Sequence, residues 1–467
     1  MSNQPQASDD YCFGSYSASE QPKPAPKPAP ETASNVERVI ATDVAFEELK
    51  RRIHSAIVQQ IESDKFDKLP VEHRRDEARK VINHCVDLDS PRLNSAERRK
   101  LVDELLDDML GLGPLEKLLR DPTISDILVN GPHQIYIERR GILEESPIQF
   151  RDNKHLMEVI YRIVSAVGRR VDEMSPIVDA RLPDGSRVNA IIAPLSLRGA
   201  SMSIRRFGAN PLKFADLINI KAIAPEMAQL LEAAVKMRLN IVISGGTGSG
   251  KTTLLNALSS FIPNTERIIT IEDAAEVRLQ QRHVVQLESR PPNIEGNGEI
   301  TMRALVRNSL RMRPNRIIIG ECRGAEAMDM LQAMMTGHEG SMTTLHANTP
   351  RDALTRLEIM LLMAGMEIPL RALREQLAAG IDLIIQAERL PGGPRRVTSI
   401  TEVLGCEGDV VSTQEIFGYR QQGIDSEGKA HGRFEATGLR PNFASRFEAE
   451  RIDLPPELFR QRVLMQA

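Results

Sequence analysis

At 467 residues the chain is too long for one ordinary hydrophobic core, so two or three domains are expected. Its 41% hydrophobic and 27% charged residues are the balance of a globular protein in water. A formal net charge of −4 and the lack of Trp argue against a constitutive nucleic-acid binder built on base stacking.

Residues 1–35 read as a tail. Pro22, Pro24, Pro26, Pro28 and Pro30 alternate with Lys and Ala, which favours an extended spacer without a core. The N-terminus is polar and lacks the apolar h-region of a secretory leader. Cys12, Cys85, Cys322 and Cys406 are scattered without a C-x-x-C pair, so neither a zinc ribbon nor a disulfide framework is expected, and a reducing cytosol fits. The most apolar window, 357–370, is interrupted by Glu358 and Glu367 and is too short to span a bilayer. Any membrane role is expected to run through partners.

Residues 36–110 have the pattern of a helical bundle. Leu49, Ile53, Ile57 and Ile61 form one stripe, a second helix is predicted over 71–86, and a third begins at Asn94. Glu97, three residues on, completes a capping-box pattern; Leu101, Leu105 and Met109 face inward, and Gly111 ends the helix. Residues 111–210 read as an α+β module, with strands near 126–130 and 134–138, a helix near 156–167 and a hairpin turn at 182–186. Arg181, Arg187, Arg205 and Arg206 lie on its strand ends; solvated edge arginines are the competing reading. Residues 211–420 alternate strands (240–244, 268–273, 283–288, 316–321, 341–347, 382–389) with helices (250–261, 300–311, 325–336, 351–363). That alternation predicts an α/β domain with a mainly parallel sheet. After the Pro391-Gly392-Gly393-Pro394 turn a final strand or two are expected to join the sheet. Residues 421–467 read as a polar, irregular C-terminal extension up to the short apolar end Val463-Leu464-Met465.

The most informative stretch is Gly245-Gly246-Thr247-Gly248-Ser249-Gly250-Lys251-Thr252, which fits G-x-x-x-x-G-K-[ST] between an apolar run (240–244) and a helical start at Thr253. Such a loop turns successive backbone N–H groups inward, and the helix N-terminus adds partial positive charge, so the element binds phosphate. Lys251 would reach the β- and γ-phosphates of ATP, and Thr252 would ligate Mg2+. Arg316-Ile317-Ile318-Ile319-Gly320-Glu321 is an apolar strand ending in a carboxylate, with Glu321 a candidate for holding the metal or polarising water. Ile268-Ile269-Thr270-Ile271-Glu272-Asp273 is a second such edge, with Glu272 the preferred general base; spacing does not decide between Glu272 and Glu321. His338 and His346 bracket another strand. A metal pair lacks a third ligand at suitable spacing, whereas a γ-phosphate sensor suits the setting, and a packed or surface histidine competes for His338.

In combination, the phosphate loop, Thr270–Asp273, Ile319-Gly320-Glu321 and Gly337-His338 through His346-Ala347-Asn348-Thr349 resemble the Walker A, Asp-box, Walker B and His-box series of the secretion ATPase superfamily. Within it, the stretches 111–115, 179–189, 203–207 and 437–441 are similar to CpaF/TadA-like ATPases of Flp (Tad) pilus assembly. The resemblance covers about 36–462. It implies a RecA-like P-loop domain preceded by a PAS-like α+β domain, in a cytoplasmic homo-hexamer docked under inner-membrane platform proteins without direct nucleic-acid contact. It also implies a nucleotide held between the two domains, with Arg205 first and Arg181, Arg187 or Arg206 next reaching the phosphates. The tetracysteine zinc motif of the type II and pilus assembly branches is not matched: only Cys406 lies in that region, so no zinc is expected. Conjugation-like type IV secretion ATPases are the nearest alternative, and a nucleotide-gated scaffold with little turnover is the rival from another class.

Overall fold

The computed structural model describes residues 46–57, 71–89, 93–139, 141–206, 212–292, 297–365, 367–450, 452 and 454–467. The proline-rich tail, Cys12 and Ile61 lie outside them. The chain divides into two compact units, residues 1–114 and 115–467.

In the first unit, residues 46–57 and the segments Val71–Asp89 and Ser95–Leu110 are helical. Asn94 caps the last helix through its side chain, and Glu97 bonds back to the Asn94 N–H at 3.0 Å, so the capping box forms. Ile53, Ile57, Ile82, Leu101 and Leu105 are fully buried in one core, with Leu49 and Met109 packed at its margin. Lys50 enters this apolar setting because Glu104 and Asp108 meet its ammonium at 3.3 and 3.1 Å. A buried charge persists only with such partners.

The second unit opens with the short helix Leu115–Arg120 and a six-stranded antiparallel sheet. Its strands are β1 (Ile124–Asn130), β2 (Ile135–Arg139), β3 (Ile142–Glu145), β4 (Ile177–Arg181), β5 (Arg187–Ile191) and β6 (Ser201–Arg205), in the order β3-β2-β1-β6-β5-β4. The helix Asn153–Ala166 covers it with Leu156, Val159, Ile160 and Ile163. Between β4 and β5, Asp184 accepts the Ser186 N–H at 2.9 Å and closes the turn.

The larger sheet contains β7 (Ile241–Gly245), β8 (Ile268–Glu272), β9 (Val284–Glu288), β10 (Arg316–Ile319), β11 (Met342–Leu345) and β12 (Leu383–Arg389). Their order is β12-β7-β11-β10-β8-β9, all parallel. This is a RecA-like α/β arrangement: one strand, β11, separates the strand before the phosphate loop from β10, which leads to Glu321. Ile241 and Ile243 enter the core shared with the helices Pro225–Lys236 and Lys251–Ser259. Val242 enters the core under Glu326–Met335, Pro350–Met363 and Leu370–Gly380. Burial on both faces explains why these strands read as unbroken apolar runs.

The expectation of an irregular end from 421 onward is overturned. The strands expected after the Pro391–Pro394 turn are β13 (Arg395–Glu407) and β14 (Val410–Ile424). β15 (Ala430–Ala436) and β16 (Arg462–Gln466) follow in the stretch read as irregular, and all four extend the same sheet antiparallel beyond β12. In β15 the inward positions are Ala430, Gly432, Phe434 and Ala436, so a true alternation is carried mostly by small residues with little hydrophobic signal. Among the described residues no helix is long and apolar enough to cross a membrane.

Candidate functional site

The loop after β7 places its glycines where only glycine is at ease: Gly248 and Gly250 have φ of 69° and 95°. The helix Lys251–Ser259 begins at once, so its unpaired N–H groups open toward the loop. Lys251 curls back and donates to the carbonyls of Gly245 and Gly246, each at 2.9 Å. Burial, the largest cause, lowers its pKa despite the opposing field of Glu321. Ser249 Oγ is buried in the loop without a partner. The unpaired N–H groups of a helix start, an orphaned hydroxyl and a partly desolvated ammonium suit a polyphosphate. Thr252 and Thr253 lie in the first turn of that helix, half-buried.

Because β7, β8, β10 and β11 are parallel, their C-terminal ends meet at one edge. Glu272 ends β8 and is only 3% exposed. The N–H groups of Glu276 and Val277 donate to its Oε1 at 2.8 and 2.9 Å, while Oε2 has no partner. Burial outweighs those hydrogen bonds and pushes the carboxyl pKa up to about 7. Its position depends on Gly320, where a Cβ would stand 2.7 Å from Glu272 Cγ and 2.9 Å from Oε1. Glu321 follows, bonded by Arg323 at 2.6 Å and facing His346 Nε2 at 3.7 Å. Burial first, then the neighbouring Lys251, lowers the His346 pKa and favours neutral imidazole. Thr344 Oγ1 donates to the Gly320 carbonyl at 2.6 Å and ties the β10 and β11 ends together.

This edge faces the antiparallel module across a cleft of about 1140 Å³, whose walls include Thr252, Glu272, Glu321, Arg181, Arg187 and Arg205. Arg187 pairs with Glu276 at 2.5 Å and Arg181 with Glu288 at 3.1 Å, both across the cleft. Arg205, the most exposed of the three, pairs with Asp126 on its own sheet at 3.2 Å. Thus three of the four singled-out arginines line the cleft. Arg206 does not: its guanidinium donates to the carbonyls of Asp121 and Ile124, within its own module. That position corrects the expectation that it would reach the phosphates.

His338 is also not brought to this edge. It lies between the helix Glu326–Met335 and the start of β11, at the opposite end of the parallel strands. There its carbonyl accepts the Ser341 hydroxyl at 2.7 Å, near the Arg316–Glu266 pair. The strand it precedes is the reason: β11 carries the chain from His338 at one edge to His346 at the other.

Sequence reasoning missed several participants. Arg323, two residues past Glu321, also lies 3.8 Å from Asp273 and links the two acidic edges; its place in the Glu-Cys-Arg run was an available signal. Glu326 accepts the N–H groups of Arg323 and Gly324 at 2.7 and 2.9 Å and fixes that turn. Gln386 donates to the carbonyls of Ala347 and Asn348 and holds the segment after His346. Arg395, from β13, donates through Nε to the Gly248 carbonyl at 2.7 Å.

A family model described as Type II/IV secretion system protein matches residues 108–433. A Mycobacterium tuberculosis protein named for conjugal transfer is 38% identical over 309 residues, 65% of this chain and 87% of its own. The type IV secretion system protein VirB11 of Brucella suis is 32% identical over 301 residues, 59% of this chain and 83% of its own. Among solved structures, the ATPase DotB of Legionella pneumophila is 22% identical, covering 60% of this chain and 77% of that one, with a TM-score of 0.46.

Proposed function

The chain belongs to the type II/IV secretion system protein family, and from that premise we propose that it hydrolyses ATP as a motor of secretion-type machinery. One observation carries the reading. Glu272 is a buried carboxyl with an unpartnered oxygen, in the same cleft as Thr252 and Glu321 and beside a phosphate-binding loop.

In this mechanism the backbone N–H groups of 246–252 bind the phosphates, and Lys251 exchanges the Gly245 and Gly246 carbonyls for phosphate oxygens. Thr252 and Glu321 would hold Mg2+, which when bound neutralises phosphate charge. Glu272 accepts a proton from the attacking water as its oxygen bonds to the γ-phosphorus; the bond to the bridging oxygen breaks, and its electron pair leaves on ADP. A carboxyl with a pKa of about 7 is well matched to that proton transfer. Neutral His346 hydrogen-bonds the transferred group, and Arg181, Arg187 and Arg205 offset its developing charge.

At finer grain we read the chain as a ring of six, attached from the cytoplasm to inner-membrane platform proteins and driving Flp (Tad) pilus assembly. The stretches 179–189 and 203–207 support that reading. The relatives named for conjugal transfer and type IV secretion favour a second, a conjugation or secretion motor. Deleting the gene in its host and scoring surface pili beside plasmid transfer decides between them.

The activity is tested by phosphate release over a range of protein concentrations. Turnover per chain is expected to rise with concentration and to fall about 10²–10⁴-fold in Glu272→Gln and about 10²-fold in Arg205→Ala. Binding of ATP with no turnover at any concentration would instead indicate a nucleotide-gated scaffold.

A further inference from the structure

β12 lies beside β7, with Ala387 opposite Gly245, so two residues further on Arg389 stands beside the phosphate loop. β13 returns antiparallel and pairs Arg395 directly with Arg389. Both side chains lie against the loop. Arg395 Nε bonds the Gly248 carbonyl at 2.7 Å, and Arg389 Nη1 is 3.5 Å from where a Cβ on Gly248 would stand. The hairpin end is fixed: Leu390 N–H bonds the Pro394 carbonyl at 2.8 Å, and Ala430 N–H bonds that of Pro391 at 2.9 Å. The arginines are therefore presented to the loop by a braced element.

Two like charges directly opposite across a strand pair repel and need a counter-charge. Glu388, the hairpin's own carboxylate, is engaged by Thr398 at 2.7 Å. The counter-charge comes from the antiparallel module: Glu138 on β2 stands 3.8 Å from both Arg389 and Arg395. Arg389 also donates to the carbonyl of Gly141, at the turn between β2 and β3. The β2–β3 hairpin thus holds both guanidinium groups, of which Arg395 bonds the phosphate loop and Arg389 lies against it.

We propose that Glu138, Arg389 and Arg395 form a latch that transmits nucleotide occupancy of the phosphate loop to the β2–β3 hairpin. Arg395 and Glu138 are positioning residues: neither needs to touch the phosphates. The latch rests on the phosphate-loop reading above, because a change at the Gly248 carbonyl is its input.

The test uses the full chain with Mg·ADP, measuring the dissociation constant and amide exchange in the β2–β3 hairpin. ADP is expected to slow that exchange in the native chain. Glu138→Gln and Arg395→Gln should each abolish the slowing and shift the ADP dissociation constant by about 5-fold or more. The double variant should shift it no further than the larger single change, as for two ends of one connection. Arg395→Lys, which keeps the charge, should restore part of the response and guards against misfolding of the Gln variant. Slowing that persists in Glu138→Gln, or single shifts that multiply in the double variant, overturns the latch while leaving nucleotide binding intact. A native chain that does not bind ADP overturns the phosphate-loop reading and the latch with it.

Discussion

Glu272 owes its chemistry to an imbalance. Two backbone N–H groups stabilise its charged form on one oxygen, yet burial of the whole carboxyl opposes that charge more strongly. The direction of the shift fixes two pH dependences. Below about 7 the group is protonated and no longer a base, so kcat/KM for ATP should rise tenfold per pH unit on the acid side and level off above about 7. In Glu272→Gln the residual rate should lose that limb; a limb of the same midpoint in the variant would assign it to another group. Stability runs the other way. A folded-state pKa raised above the ordinary 4.5 gives a contribution present in acid and lost as pH rises through about 7. The native chain should therefore lose more stability than Glu272→Gln between about pH 5 and about pH 8, as read by urea unfolding.

At the scale of elements, the strand ends act together because small residues let them approach. Gly320 is the sharpest case: an added methyl would meet the Glu272 side chain at 2.7–3.2 Å, and that side chain is pinned by its own hydrogen bonds. Gly320→Ala should cost about 1–3 kcal/mol, the range for overpacking a filled site. It should lower turnover by displacing the carboxyl; thermal unfolding and phosphate release measure the two effects. Unchanged values of both would mean that β8 and β10 separate easily there. The same close packing explains what the sequence made visible. Ile241–Ser244 and Ile317–Ile319 are buried at every position, so their apolar runs and the carboxylate or glycine that follows were legible. The helix Pro225–Lys236 also carries a sequence signal, Pro at its start with Met227, Leu230, Leu231 and Ala234 on one face. Arg389 and Arg395 gave none. Their place on the phosphate loop is created by pairing β12 with β7, far away in sequence, and in the chain they only flank a Pro-Gly turn. His338 misled for the converse reason, since nearness to His346 in sequence spans the full length of β11.

At the scale of the whole molecule, the division at residue 114 separates packing from chemistry. The first unit has its own apolar core around Ile53, Ile82 and Leu105, and its buried cation Lys50 is answered from within by Glu104 and Asp108. Every residue assigned here to phosphate, metal or proton handling lies in 115–467, as do both sides of the cleft. Residues 115–467 expressed alone should therefore fold and bind Mg·ADP with the affinity of the full chain. At an ADP concentration about 100 times its dissociation constant, stabilisation of about 2.7 kcal/mol is expected in both forms, because linkage depends only on the site. Calorimetric titration and thermal unfolding of the two proteins side by side give the comparison. Equal affinity would show that the helical unit takes no part in holding the nucleotide; a much weaker site in the shorter protein would show that it does.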